Sequence, residues 1–207
     1  LDINLFTTCF LNCIDLNSSN GSETIRINRQ DAIKYRKGIT KDEKNSIIAQ
    51  FSRSYLANPS HFRSSNSPFQ IRYINESGID AGGLSRDFIT EFVRDINAPE
   101  IGLFIQTPNG RNREGSYQEC IVPNPSPSIK NSSDYYHVIG AFLALIIRMN
   151  TKQIDLHFPP LFWEFIVDGK LTIDSIYSID NSYQKMSTHL LDCSSISSFS
   201  LLNMRGM

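Results

Sequence analysis

The sequence predicts an α+β domain, mainly helical, with short β-hairpins. Three observations carry that reading. Val138 to Ile147 is a run that is apolar nearly all round, which as a helix must be surrounded by protein. Ile47, Ile48, Phe51, Tyr55 and Leu56 recur at helical spacing. Phe69, Ile71 and Tyr73 alternate with Gln70 and Arg72, the pattern of a half-buried strand.

The elements follow in order. Leu5 to Leu16 is a short apolar stretch ending in a polar turn at Asn17 to Ser22, and Thr24 to Asn28 alternates weakly as a short strand. Thr40 and Glu43 form a capping box, in which the hydroxyl takes an orphan backbone N–H and the carboxylate reaches back. It predicts a helix over 41–57, ended by Asn58-Pro59. After a polar loop to Pro68 comes the strand Phe69 to Tyr73, then a sharp turn at Ser77 to Gly83. From Leu84 the apolar positions 84, 88, 92, 93 and 96 predict a helix with Arg86, Asp87, Glu91 and Arg94 on its wet side. Leu103 to Gln106 and Tyr117 to Val122 pair as a hairpin across the turn-rich loop Pro108 to Gly115.

Pro123 to Pro127 is a stiff connector. Ser132 or Ser133 caps the strongest helix, about 134–149. Pro159-Pro160 opens a helix over Leu161 to Val167, with Gly169 placed to end it. Thr172 caps a short helix before Asp180, a further helix runs over 181–192, and 193–207 reads as a frayed tail or the start of a connector.

Composition narrows the function. In 207 residues, 40% hydrophobic, the 20 Lys and Arg against 21 Asp and Glu leave a net charge of -1. That argues against dedicated nucleic-acid binding, which needs a strongly basic domain. The longest apolar run is about half of a bilayer span, so no membrane partner is expected. Cys9, Cys13, Cys120 and Cys193 with His61, His137, His157 and His189 give no zinc spacing, and read as reduced thiols of a cytoplasmic protein, with the nucleus as a second location. The sequons at Asn17, Asn20, Asn75 and Asn131 arise by chance in an Asn- and Ser-rich chain.

Gly83-Leu-Ser85-Arg-Asp87 begins like a nucleophile elbow but has Asp87 where a second Gly is required, so Ser85 reads as an ordinary first-turn residue. His137 reads as a satisfied core or interface histidine, and His157 as a helix-entry residue. The basic run Arg26 to Lys44 reads as a solvated face. The sequence thus nominates no catalytic, cofactor-binding or metal-ligating residue.

One stretch carries more information. Phe69 to Phe88, with Glu76, Gly78, Ile79, Asp80, Gly82, Gly83 and Arg86 at matching positions, resembles the start of the HECT ubiquitin-ligase domain. Asp87 replaces that family's usual Glu. The resemblance continues in order through Ile101 to Phe104, Tyr117 to Ser126, Tyr135 to Gly140, Asp155 to Trp163, and Leu171 to Tyr183. It fits more loosely upstream at Ile25 to Arg29 and around Gln50. It implies the large subdomain of a HECT N-lobe over 25–192, preceded by a lead-in over 1–24.

The family recruits a ubiquitin-conjugating enzyme, accepts ubiquitin on a cysteine as a thioester, and passes it to a lysine of a protein substrate. A thiolate suits that task because it attacks a thioester and leaves readily. By the resemblance, the cysteine-bearing C-lobe is absent here and the chain alone is inactive. The alternative is a non-catalytic HECT-like interaction module. Thr8-Cys9-Phe10 imitates the family's catalytic context but sits on the wrong side of the N-lobe blocks. Ala81 stands where some members carry an aromatic that binds a second ubiquitin, and Gly140-Ala141 where Gly-Arg is common. Gly82-Gly83 reads as a turn, with Asp80 and Arg86 as cap and ion-pair candidates.

Overall fold

A computed structural model describes residues 23–59, 62, 69–76, 83–148 and 154–191. Of these, 58% are helical and 10% extended, an α+β fold dominated by helices. Cys9, Cys13, Cys193, His61, the turn 77–82 with Gly78, Asp80 and Ala81, and the tail 193–207 lie outside the described residues. The chain divides into two compact units, one of residues 1–104 and 124–156, the other of 105–123 and 157–207.

The first unit begins with strand β1, Glu23–Ile27, which pairs with β2, Phe69–Tyr73. The pairing is parallel, a partnership the sequence does not signal. Parallel strands need a crossover, supplied here by two helices. The first, α1 at Arg29–Arg36, was not expected from the sequence. Only Ala32 and Tyr35 of it are buried, too little apolar content to rise above a charge run. Asn28 caps it by accepting from the Asp31 N–H.

The second crossover helix, α2, spans Ile47–Ala57 rather than 41–57. The capping box does not form. Thr40 Oγ1 is buried without a hydrogen-bond partner, and Asp42 instead caps a single 3-10 turn at Glu43–Asn45. Ser46 is the true cap, accepting from the Ala49 N–H at 3.0 Å. The buried Gln50 side chain ties this helix to the end of β1: its Oε1 accepts from Asn28 N–H at 2.6 Å, and its Nε2 donates to Asn28 O at 3.1 Å and Asn45 O at 2.7 Å.

Helix α3, Gly83–Ile96, follows β2. Arg86 and Arg94 are exposed as expected, but Glu91 is buried, for a reason given below. Phe51 stands at the centre of the core. Phe62, Phe69, Phe88, Phe92 and Phe142 surround its ring at centroid distances of 5.5 to 6.2 Å, mostly edge-on. Phe92 and Phe142 stack at 3.7 Å. Such pairs add to the burial of large apolar area.

Phe142 comes from α5, the helix Ser132–Arg148. Its burial is one-sided. Val138, Ile139, Phe142, Leu145 and Ile146 are buried, while Ala141, Leu143, Ala144 and Ile147 are only half-buried and His137 is exposed. The connector before it is pinned by Asn124, whose N–H donates to Leu103 O at 2.9 Å and whose Nδ2 donates to Gly102 O at 2.7 Å. Tyr136 Oη lies 2.6 Å from Leu103 O and 3.0 Å from Asn124 O.

The second unit begins within the expected hairpin, which is present as β3, Phe104–Gln106, paired with β4, Ile121–Pro123. Its connection contains a short helix, α4 at Pro108–Asn112, rather than turns alone. Thr107 caps it, Pro108 occupies the first helical position, and Arg113 ends it in the left-handed region. Pro160–Asp168 forms α6, opened by Pro160 and closed by Gly169 at φ 65°. Ile173–Ile179 forms α7, with Thr172 accepting from the Ser175 N–H at 3.1 Å. Residues 181–191 form α8.

The buried Asn109 holds this unit together. Its Nδ2 donates to Ser116 O at 3.0 Å and Ser178 O at 3.1 Å, and its Oδ1 accepts from Asn181 N–H at 2.8 Å. Gly110 is required beside it, because a Cβ there meets the Gln118 carbonyl oxygen at 2.2 Å. Gly110→Ala is expected to cost about 1–3 kcal/mol by overpacking. Hydrogen exchange checks it: the Thr107 amide, bonded to Cys120 O, opens faster, while the Phe88 and Phe92 amides are unchanged.

Candidate functional site: two arginine–carboxylate clusters

Two residues of the stretch that carries the sequence resemblance, Glu76 and Asp87, meet at Arg29. This arginine sits in the first turn of α1 and pairs with Glu76 and Asp87, which flank the 77–82 turn on its two sides. Its Nε donates to Glu76 Oε1 at 3.2 Å, and its guanidinium lies 4.5 Å above the Tyr73 ring. A planar, delocalised cation suits both contacts, which a lysine would not reproduce. Burial, together with the adjacent Asp87 carboxylate, holds the Tyr73 phenol far above its ordinary range. The cluster therefore ties Glu76, just past the end of β2, and Asp87, in α3, to α1. Arg86, the sequence's ion-pair candidate, is exposed and has no ion pair among the described residues; its neighbour Asp87 takes that role.

A second cluster lies deeper. Arg36, at the end of α1, pairs with Glu91 and with Asp95 of α3, and Arg94 pairs with Glu91 from the solvent side. The exposures of the Arg36, Glu91 and Asp95 side chains are 14%, 4% and 0%. This pairing is why Glu91 can be buried on a face the sequence marks as wet. Asp95 Oδ1 is 3.2 Å from Arg36 Nη1. Its Oδ2 accepts from the Ile47 and Ile48 N–H groups, at 2.5 and 3.3 Å. A carboxylate from α3 thus caps the first turn of α2, favourable for the helix dipole, and joins three helices at one point.

Burial pushes the Asp95 carboxyl up to about 7 from 3.8, opposed by Arg36 and the two N–H groups and reinforced by Glu91. The sign follows directly. Between pH 4 and 7 the unfolded chain gives up this proton while the folded chain retains it, so ionisation favours unfolding. Stability from this group is greatest below its unfolded value and is lost as pH rises to about 7, by up to about 4 kcal/mol. Urea midpoints measured across that window are expected to fall more steeply in the unaltered chain than in Asp95→Asn, which has no proton to lose.

The other nominated residues are not assembled into chemistry. Ser85 is buried in the first turn of α3. His137, read as a core or interface histidine, is exposed rather than in the core, with its ring 6.0 Å from that of Tyr55, because its position falls outside the buried stripe of α5. His157 contributes its carbonyl, which accepts from the Ile121 N–H at 2.9 Å. Cys120 is buried, and burial followed by Glu119 raises its thiol, the opposite of what a nucleophile needs. Gly140 is exposed, with open space beside it. Among the described residues no group of three His, Cys, Asp or Glu is placed to hold a metal ion. No helix among them is long and apolar enough to cross a membrane. Sequence reasoning missed Arg29, Arg36, Asp95 and Asn109. The one signal available was the basic run, in which two of three arginines, Arg29 and Arg36, find acids far along the chain.

Comparison with known proteins agrees with this scaffold. Residues 90–204 match the model of the HECT domain, described as a ubiquitin-transferase domain. The probable E3 ubiquitin-protein ligase HUL4 of Eremothecium gossypii is 32% identical over 122 residues, 59% of this chain and 14% of that protein. Human E3 ubiquitin-protein ligase HERC2 is 24% identical over 115 residues, 56% of this chain and 2% of its own length. The human probable ligase HERC4 is 25% identical over 125 residues, 60% of this chain and 11% of its own. The matched stretch is therefore a small part of each relative. A family match over more than half of the chain, together with the ordered blocks from Phe69 onward, places this chain in the HECT family of ubiquitin transferases.

Proposed function

We propose that this chain is the large-subdomain scaffold of the N-lobe of a HECT-type ubiquitin ligase. The whole enzyme accepts ubiquitin as a thioester from a ubiquitin-conjugating enzyme and transfers it to lysines of protein substrates. The family match over 90–204 is the observation that carries this reading. Two features of the structure support the division of labour. Cys120 is buried with its thiol held protonated, and the polar clusters around Arg29 and Arg36 satisfy one another inside the first unit. On this reading the accepting cysteine belongs to a lobe outside this chain, and the chain by itself transfers nothing. Its setting is the cytoplasm, with the nucleus as a second site.

The test is ubiquitin loading of the full-length product of the gene that encodes this sequence, with activating enzyme, ubiquitin and a panel of conjugating enzymes. The expected result is an adduct that reductant removes. The second reading, a non-catalytic HECT-like interaction module, is favoured by the departures at Ala81 and Ala141. It predicts no reductant-sensitive adduct with any conjugating enzyme.

A further inference from the structure

Arginines beside the core of the first unit are neutralised within it: Arg29 by Glu76 and Asp87, Arg36 by Glu91 and Asp95, and Arg94 by Glu91. In the same unit Arg26, Arg53, Arg72 and Arg86 have no ion pair among the described residues, and of these Arg26 and Arg72 stand together. They are cross-strand partners in the parallel β1–β2 ladder, both exposed, and neither has an ion-pair partner among the described residues. Adjacent strands lie about 4.8 Å apart, so the two guanidinium stems rise side by side. Like charges directly opposite one another weaken a sheet. The register cannot slip to relieve them. Ile25, Ile27, Phe69, Ile71 and Tyr73 are buried on the other face, and a shift of one residue would bury the arginines.

A sheet face that keeps two unneutralised arginines directly opposite one another in a fixed register is built to take negative charge from outside. We propose that the outward face of β1 and β2 docks an extended acidic segment of a partner protein, with a carboxylate lying between Arg26 and Arg72. Guanidinium forks match carboxylates geometrically, and two forks at this spacing share one. The flanking outward residues, Thr24 and Gln70, offer hydrogen bonds but no ring for a base to stack on, and the chain carries a net charge of -1; both favour an acidic protein segment over a nucleic acid. The inference is independent of ubiquitin transfer.

The probe is a fluorescein-labelled peptide of alternating Glu and Ser, titrated with the chain by fluorescence anisotropy beside a labelled oligothymidylate of equal charge. Saturable peptide binding is expected at low salt, weakening as salt passes about 0.1 M. Arg26→Gln and Arg72→Gln should each weaken it roughly tenfold. Arg26→Glu, which sets a carboxylate opposite Arg72, should abolish binding while leaving the thermal midpoint unchanged or raised. Three results would overturn the proposal. The unaltered chain fails to bind the peptide, leaving the arginines as guards of the sheet edge; a folded Arg26→Gln/Arg72→Gln double variant binds equally well; or the oligothymidylate binds more tightly than the peptide.

Discussion

Replacing Phe51 by Ala is expected to cost about 3–5 kcal/mol of unfolding free energy. Phe51 is fully buried, and its ring is shared by α2, β2, α3 and α5 through Phe69, Phe88, Phe92 and Phe142. Truncation removes the transfer free energy of a large side chain and also leaves a cavity lined by rings that cannot all move inward. Phe51→Leu keeps most of the volume and should cost clearly less, though it forfeits the edge-on ring contacts. Urea unfolding of both variants checks this. A loss for Phe51→Ala no larger than that of an exposed substitution would show that the aromatic cluster is not the centre of the core.

Arg36→Ala is expected to be nearly as damaging, at about 3–5 kcal/mol, by a different route. It leaves the buried carboxyls of Glu91 and Asp95 facing each other without their shared cation. The damage should depend on pH. Protonating Asp95 relieves part of it, so the difference between Arg36→Ala and the unaltered chain narrows toward pH 4. The Phe51→Ala loss should show no such narrowing. Arg36→Lys keeps the charge but not the fork that reaches Glu91 and Asp95 together, so it should restore only part of the stability. Urea midpoints at two pH values separate these outcomes.

How much of this was legible depends on whether the determining contacts are local. Helix α6 was readable from Pro160 and Gly169, and α7 from Thr172, because each signal acts within a few residues of the backbone it satisfies. Strand β2 was readable from strict alternation. The start of α2 was not. Thr40 and Glu43 satisfy the local rule for a cap, but the N–H groups of Ile47 and Ile48 are taken by Asp95, far along the chain. The parallel partnership of β1 and β2 was hidden for the same reason, since no turn between them encodes it. Glu76 and Asp87 stood out by resemblance alone. Their function in the fold became visible only when Arg29, which the sequence shows as one cation in a basic run, was found to grip both. Glu91 marks the limit of amphipathic patterning: a carboxylate reads as wet until a buried arginine is brought to it.

The central claim is that this chain supplies architecture to a HECT-type ligase while the accepting thiol lies elsewhere. It is tested most directly by ubiquitin loading of the full-length gene product with every cysteine of this chain removed: Cys9, Cys13 and Cys193 to Ser, and the buried Cys120 to Ala. The account predicts that a reductant-sensitive ubiquitin adduct still forms, at a level close to that of the unaltered protein. Loss of that adduct from a variant that keeps its native circular dichroism would place the accepting thiol within these 207 residues and contradict the account.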